Sequence, residues 1–251
     1  VGAFKLFVFF LSALVTFAVQ GTILTFCKGP ITLIYPRAYH AFACWLFGLK
    51  VVVEGDIDTS PNVVFAGNHI SYLDVQAVGS VVKGCFIAKK EVEGWPLFGA
   101  LGKMGQTLYV SRNPQDAPKE IKAIADRAQS GMPIIVFPEG TSSNGTSIFP
   151  FKSSFFEIFL NKNIKIQPFT ISLVDVHEEN NTTLNKRDYY TWHGDMDFSP
   201  HLWRFAKGKG AVVKIVFQES ISTNCYTNRK LLSNDIYEAV CKGLDLSFPA
   251  Q

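Results

Sequence analysis

The sequence is poor in charged residues, closely spaced cysteines and internal repeats, and each shortage excludes a class of protein. Charged residues form only 18% of the 251 positions, and a net charge of +3 is too small to indicate a nucleic-acid-binding protein. The five cysteines form no CxxC pair, so we expect free buried thiols in a reducing cytoplasm instead of disulfides or zinc ligands. No repeat or linker indicates a second globular domain.

Large apolar side chains are abundant instead, above all in the first fifty residues. The segment 4–26, FKLFVFFLSALVTFAVQGTILTF, would be about 35 Å long as a helix, enough to cross a hydrocarbon core of roughly 30 Å. A membrane anchor or re-entrant hairpin is therefore predicted, and a buried core helix and a cleaved signal peptide are the alternatives. Lys28, Arg37 and Lys50 follow the segment, which would leave the rest of the chain on the cytoplasmic side.

A second apolar segment, ITLIYPRAYHAFACWLFGL, is interrupted by Pro36, Arg37 and His40. These residues make it a poor spanning helix, so we predict a helix that lies in the membrane interface or packs on the domain. Residues 1–50 are accordingly assigned to membrane attachment, and residues 51–251 to the domain that carries the chemistry.

Beyond residue 50 the pattern alternates short strands with helices. Seven runs read as strands, several of them continuously β-branched as in a sheet covered on both faces: KVVVEG, NVVFAG, GCFIAKK, QTLYVSR, MPIIVFPEG, IKIQPFTISL and AVVKIVFQ. The clearest helix is DAPKEIKAIADRAQSG, with an apolar stripe formed by Ala117, Ile121, Ile124 and Ala128. A C-terminal helix is predicted over NRKLLSNDIYEAVCKGL, whereas the region 175–210 reads as a polar loop with aromatic residues. The predicted fold is α/β, with a mixed, largely parallel central sheet flanked by helices.

The stretch NHISYLD, residues 68–74, follows the strand NVVFAG and could hold a general base. His69 and Asp74 would not meet on one regular helix, but they can meet if a turn carries His69 and the next helix begins at Asp74. Histidine takes a proton near neutral pH, and a carboxylate on its other nitrogen fixes the tautomer. By itself the pattern also fits a polar helix cap.

Two further stretches carry groups suited to binding an anion. The loop FPEGTSSNG follows a strand and offers backbone N–H groups and hydroxyls, although it also fits a plain surface loop. The stretch between Lys89 and Arg112 contains WPLFGALG and ends in a strand. An arginine there can contact phosphate in a bidentate manner, and the alternative is a solvated surface charge.

In this order and spacing the motifs resemble those of the PlsC-like glycerolipid acyltransferases, over about residues 50–220. The first block of that family, NHxxxxD, and the third, FPEGT, are both present. The positions that match the four blocks are Asn68, His69 and Asp74; Lys90, Trp95, Pro96, Gly99, Gly105 and Arg112; residues 137–141; and Pro168.

The resemblance implies acyl transfer from a thioester to the sn-2 hydroxyl of 1-acyl-glycerol-3-phosphate, giving phosphatidic acid. His69, oriented by Asp74, would deprotonate that hydroxyl. No metal or cofactor is expected, and the donor would be an acyl-carrier protein or coenzyme A thioester. The implied partners are a lysophospholipid and the lipid bilayer, at the cytoplasmic face of a bacterial inner membrane. The residues expected to bind the acceptor are Asn68, Lys90, Arg112, Glu139, Gly140 and Thr141.

One position departs from the family pattern, because Ser142 stands where FPEGTRS has an arginine. The tail YYTWHGDMDFSPHLW also resembles a bacterial subset that includes enzymes acylating lyso-ornithine lipid, whose head group is not a phosphate. That acceptor, or another lysolipid, is one alternative, and a non-catalytic lipid-binding protein is another. His193, Asp195 and His201 could suggest a metal cluster, but no other ligand spacing is evident, so we expect them to shape the acceptor pocket or cap a loop.

Overall fold

The computed structural model describes residues 1–111, 113, 115–177 and 186–245. Helices and strands alternate along this part of the chain. The helices are α1 Gly2–Phe26, α2 Ile34–Phe47, α3 Asp74–Val81, α4 Lys90–Glu93, α5 Phe98–Met104, α6 Ala117–Gln129, α7 Ser153–Phe156, α8 Phe198–Lys207 and α9 Arg229–Lys242. The strands are β1 Leu49–Glu54, β2 Val63–Gly67, β3 Cys85–Lys89, β4 Leu108–Val110, β5 Ile134–Val136, β6 Lys165–Val176, β7 Ala211–Phe217 and β8 Ile221–Ser222.

The strands form one mixed sheet in the order β1-β7-β6-β2-β5-β3-β4. The short strand β8 lies outside this order and pairs with β6. Among the described strands, β6 runs antiparallel to β7 and β8, and all other neighbours are parallel. The predicted fold class is therefore confirmed. Pro168 lies where the partner of β6 changes from β8 to β7, so its missing N–H interrupts neither antiparallel ladder.

The parallel strands bring the sequence motifs to one edge of the sheet. Strands β2, β5, β3 and β4 are neighbours and point the same way, so their carboxyl ends meet. The NHISYLD turn follows β2, and the FPEGT loop follows β5. The second block runs between the ends of β3 and β4. This edge is where open α/β sheets place ligands.

Two apolar layers cover the sheet. One face packs against α1, α2, α3 and α8, and its core includes Phe65, Phe169 and Ile215. The other packs against α6, α7 and α9, around Val64 and Ile134. Because both faces are covered, every residue of β2 is buried, which explains its continuous apolar sequence.

The N-terminal segments form two helices that pack on the sheet domain. Phe9 of α1 lies among the rings of Tyr39, Phe47 and Phe98. The expectation that the second segment packs on the domain agrees with α2, where His40 Nδ1 lies 2.7 Å from Gln76 Oε1 of α3. α1 is long and apolar enough to cross a membrane, by length and composition.

Three expectations need correction. The region 175–210 was expected to be a loop, but it contains α8 and a 3-10 turn over Lys186–Tyr189. Ile121 was placed on the buried stripe of α6, yet it is 45% exposed because the buried face runs through Ile124 and Ala128. The cysteines are free, but Cys225 is exposed.

Candidate active site

The site begins at the turn between β2 and α3. β2 ends at Gly67, and α3 begins at Asp74. This break lets the chain fold back, so that His69 Nδ1 lies 2.8 Å from Asp74 Oδ2. The structure thus brings the two residues together in the way that the sequence predicted.

The carboxylate of Asp74 is fully buried and receives four hydrogen bonds. Oδ2 accepts from His69 Nδ1 and from the N–H groups of Ile70 and Ser71, at 2.7–2.8 Å. Oδ1 accepts from the hydroxyl of Tyr190 at 2.8 Å. Because a carboxylate held by donors accepts hydrogen bonds only, His69 carries its proton on Nδ1, and Nε2 is left as the basic nitrogen.

The imidazole of His69 is held between the turn and the loop after β5. The ring of Phe137 stacks on it, with centroids 4.2 Å apart and planes 10° apart. The side chain is still 20% exposed. One face of the ring is therefore fixed by packing, while an approach from outside remains open.

Asn68 holds the turn to the sheet. Its Nδ2 donates to the carbonyl of Ile171 at 2.9 Å, and its Oδ1 accepts from the N–H of Ile171 at 2.7 Å. The residue is fully buried. The expected contact between Asn68 and substrate is corrected by this geometry, because its amide is used to join β2 to β6.

Glu139 also differs from its expected role as a residue that binds substrate directly. Its Oε1 accepts from the N–H of His69 at 2.6 Å, and its Oε2 accepts from the N–H of Phe149 at 2.7 Å. Burial raises the pKa of this carboxyl from 4.5 to about 7, and the two N–H groups oppose that rise. Glu139 therefore positions His69 through its backbone.

The loop after Glu139 returns to the same histidine. The N–H of Ser143 donates to the carbonyl of His69 at 2.8 Å. Residues 140–142 therefore form a short arch between two anchors on His69. Gly140 has φ of 70°, a conformation that favours glycine, and Thr141 is exposed. Gly140 and Thr141 thus lie beside the backbone of His69, and their contact with the acceptor stays a prediction.

The two cations of the second block, Lys90 and Arg112, are predicted to bind the acceptor. Lys90 is exposed, and its ammonium pairs with Glu93 of the same short helix. Glu93 also binds Lys103, at 3.0 Å. Arg112 lies outside the described residues, so its predicted contact with the acceptor stays a prediction.

A segment that the motifs did not assign, residues 187–192, packs behind both halves of the site. Tyr190 binds Asp74, and the N–H of Trp192 donates to the carbonyl of Ile70 at 2.9 Å. Ser142 Oγ donates to the carbonyl of Trp192 at 2.5 Å. The segment therefore ties the turn to the loop. Its only sequence signal was the aromatic run YYTW.

His201 supports this segment from α8. Burial lowers the pKa of its imidazole to about 4, and nearby Arg204 adds to that effect. The neutral ring bridges two groups: Nδ1 lies 3.0 Å from the hydroxyl of Tyr72, and Nε2 lies 3.0 Å from the carbonyl of Thr191. The carbonyl can only accept, so Nε2 donates and Nδ1 accepts from Tyr72. His201 thus binds side-chain and backbone groups of the protein itself.

An apolar groove of about 760 Å³ lies beside the turn. It is lined by α1, residues 95–98 and α8. The ring of Phe198 connects it to the turn, with its centroid 4.8 Å from that of Tyr72 and 5.3 Å from those of Trp95 and Phe98. An apolar groove therefore adjoins the turn that carries the dyad.

Known proteins share both the sequence and the fold. A family model described as Acyltransferase matches residues 49–172. A lyso-ornithine lipid O-acyltransferase of Rhizobium meliloti (strain 1021) is 30% identical over 217 residues, which cover 83% of this chain and 74% of that protein. A 1-acyl-sn-glycerol-3-phosphate acyltransferase of Neisseria gonorrhoeae is 30% identical over 159 residues, covering 62% of this chain and 60% of that protein.

The fold matches that of the crystallised 1-acyl-sn-glycerophosphate acyltransferase PlsC from Thermotoga maritima. The TM-score is 0.69 at 19% identity, and the match covers 98% of this chain and 96% of that one. The matched family region contains the turn, the FPEGT loop and the first eight residues of β6. On the sequence match to the Rhizobium enzyme and to the family model, the chain belongs to the acyltransferase family.

Proposed function

We propose that this protein transfers an acyl group from a thioester to the free hydroxyl of a membrane lysolipid, with His69 as the general base. The observation that carries the proposal is the 2.8 Å contact between His69 Nδ1 and the buried carboxylate of Asp74. It leaves Nε2 unprotonated on a ring that remains reachable from outside. That arrangement suits removal of a proton from an alcohol near neutral pH.

The proposed reaction begins with the proton on the hydroxyl group of the acceptor. His69 Nε2 takes it from the acceptor hydroxyl while the hydroxyl oxygen attacks the carbonyl carbon of the thioester. A C–O bond forms, the C–S bond breaks, and the imidazolium returns the proton to the departing thiolate. Asp74 stabilises the imidazolium in between, since its carboxylate oxygens accept from His69 and from three further donors. No step requires an acyl-enzyme, a metal or a further cofactor.

The first candidate acceptor is 1-acyl-glycerol-3-phosphate, with phosphatidic acid as the product. The FPEGT loop beside His69 and the relatives that act on this lipid support it. The second candidate is lyso-ornithine lipid. Two observations favour it: Ser142 replaces the arginine of FPEGTRS, and the match to the lyso-ornithine lipid enzyme covers 83% of this chain against 62% for the glycerophosphate enzyme.

The surroundings of the dyad fit substrates that are partly embedded in a bilayer. α1 presents exposed apolar side chains, among them Phe4, Phe7 and Leu14, at 62–68% exposure. The apolar groove beside Tyr72 has room for an acyl chain. We therefore propose attachment through α1 at the cytoplasmic face of the membrane, with an acyl-carrier protein or coenzyme A thioester arriving from the aqueous side.

The test combines both acceptors with both thioester donors. Wild-type protein should consume thioester with at least one acceptor, and His69→Ala and Asp74→Asn should each lose about 100-fold or more in kcat. The matched control is His177→Ala, since His177 faces Asp175 on the surface, 3.8 Å away. It should keep wild-type turnover.

Circular dichroism and thermal unfolding would show that each variant is folded. A folded His69→Ala variant with full turnover would refute the assignment of the base. Wild-type protein that consumes no thioester with any acceptor, yet binds lysolipid vesicles, would instead support a lipid-binding protein on this fold.

A further inference from the structure

The proposed function needs a cation for the acceptor's anionic head, and those expected residues that the structure describes leave that place open, while the contact of Arg112 stays a prediction. Glu139 is committed to two backbone N–H groups, and the ammonium of Lys90 is paired with Glu93. Ser142 is uncharged, and its hydroxyl faces the carbonyl of Trp192. Either candidate acceptor nevertheless carries an oxyanion, which is a phosphate in one lipid and the carboxylate of ornithine in the other.

Lys152 brings a positive charge to the FPEGT loop from the chain that follows it. Its backbone N–H donates to the carbonyl of Pro138 at 3.0 Å, which fixes the residue against the loop. Its side chain crosses Gly140 so closely that a Cβ at position 140 would collide with Nζ. In the part of the chain that the structure describes, this ammonium forms no ion pair or hydrogen bond.

The loop beneath that ammonium also offers donors. Within the described residues, the backbone N–H groups of Thr141 and Ser142 donate to no protein acceptor, and neither does the Thr141 hydroxyl. Consecutive N–H groups after a glycine with positive φ form a concavity that binds anions. Because Glu139 and Ser143 both contact the backbone of His69, this concavity lies beside the residue that carries the general base.

We propose that Lys152 is a cation that binds the oxyanionic head of the acceptor, together with the N–H groups of Thr141 and Ser142. In the motif FPEGTRS an arginine supplies a positive charge at the position that Ser142 occupies here. Lys152 supplies that charge from a position ten residues later in the chain. The proposal rests on the acyltransferase function and refines it, since the head group would be held while His69 reaches the hydroxyl. A lysine makes a point contact with either a phosphate or a carboxylate.

The experiment compares wild type, Lys152→Ala and Lys152→Arg in steady-state kinetics, with each acceptor and one acyl thioester. Lys152→Ala should raise the acceptor's KM about tenfold or more, because a charge-assisted contact is lost, and should leave the donor's KM unchanged. Lys152→Arg should restore most of the affinity. The matched control is Lys230→Ala, an exposed lysine at the start of α9, which should behave as wild type.

A dead-end inhibitor separates binding from chemistry. For 1-acyl-2-deoxyglycerol-3-phosphate, which lacks the reacting hydroxyl, the inhibition constant should rise with Lys152→Ala by the same factor as the KM. If only the lyso-ornithine acceptor shows the effect, the oxyanion is the carboxylate. An unchanged acceptor KM in a folded, active Lys152→Ala variant, or a raised donor KM alone, would overturn the proposal. Wild-type protein that turns over neither acceptor would refute the proposed function instead.

Discussion

At the scale of single residues, the site depends on carboxylates that are buried and bonded to backbone N–H groups. Asp74 and Glu139 hold the two sides of His69: one binds the ring, and the other binds the backbone N–H. They differ in how many donors they receive, since Asp74 has four and Glu139 has two. At Glu139 the effect of burial outweighs that of its two N–H donors, and the pKa of the carboxyl rises to about 7.

The raised pKa of Glu139 predicts a pH-dependent stability. The folded state binds this proton more tightly than the unfolded state does, so the stabilisation is complete below about pH 4.5 and is lost as the pH rises to about 7. In Glu139→Gln this dependence should disappear. The free energy of unfolding of wild type, relative to the variant, should fall by about 3 kcal/mol between pH 4.5 and about pH 8.

Urea unfolding at a series of pH values would measure this difference. The exposed Glu219→Gln variant controls for the loss of one carboxylate elsewhere on the surface. A constant difference between wild type and Glu139→Gln across the range would contradict the prediction and show that folding does not raise the pKa of this carboxyl.

At the scale of elements, the segment 187–192 determines how the turn and the loop meet. Burial, together with the charge of Asp74, raises the pKa of Tyr190 well above its usual value, so its hydroxyl stays protonated and donates to Oδ1. Tyr190 is thus a positioning residue, since it acts on His69 through Asp74 and was not among the residues expected from the motifs.

Tyr190→Phe should lower kcat about tenfold and move the acid limb of the pH profile of kcat/KM to higher pH. The lost donor leaves Asp74 a stronger acceptor for His69, which makes the imidazolium easier to form. Tyr226→Phe is the matched control, because Tyr226 also donates to a carboxylate, that of Asp235, but on the surface. A Tyr190→Phe variant with lower thermal stability and an unchanged pH profile would show a purely structural role.

The elements that the sequence predicted well are those whose pattern is local. All seven strand candidates correspond to strands, because each is an apolar run bounded by turn residues. The dyad was also predictable, since one turn separates its two residues. The contact between Tyr190 and Asp74 joins residues 116 positions apart, and no local pattern encodes it. α8 does carry a local signal, because Pro200 lies in its first turn and His201 and Phe205 lie on one face.

At the scale of the whole molecule, α1 has two kinds of surface. Phe9 and Ala13 are buried against the domain, at 4% and 0% exposure, whereas Phe7 and Leu14 are 63% and 62% exposed. A helix that served only as a core element would bury most of its apolar residues, and a helix isolated in lipid would bury few against its own chain. α1 therefore serves both as part of the fold and as a surface that can enter a bilayer.

This division predicts that membrane binding and stability can be separated by mutation. The double substitution Phe7→Ser and Leu14→Ser should weaken binding to phospholipid vesicles at least tenfold, because two large apolar side chains no longer leave water, and should barely change thermal unfolding. Phe9→Ala should instead lower the free energy of unfolding by about 3–5 kcal/mol, since it opens a cavity among Tyr39, Phe47 and Phe98. Vesicle sedimentation and thermal unfolding measure the two effects. If the double variant sedimented with vesicles as wild type does, the exposed face of α1 would not be the membrane-binding surface.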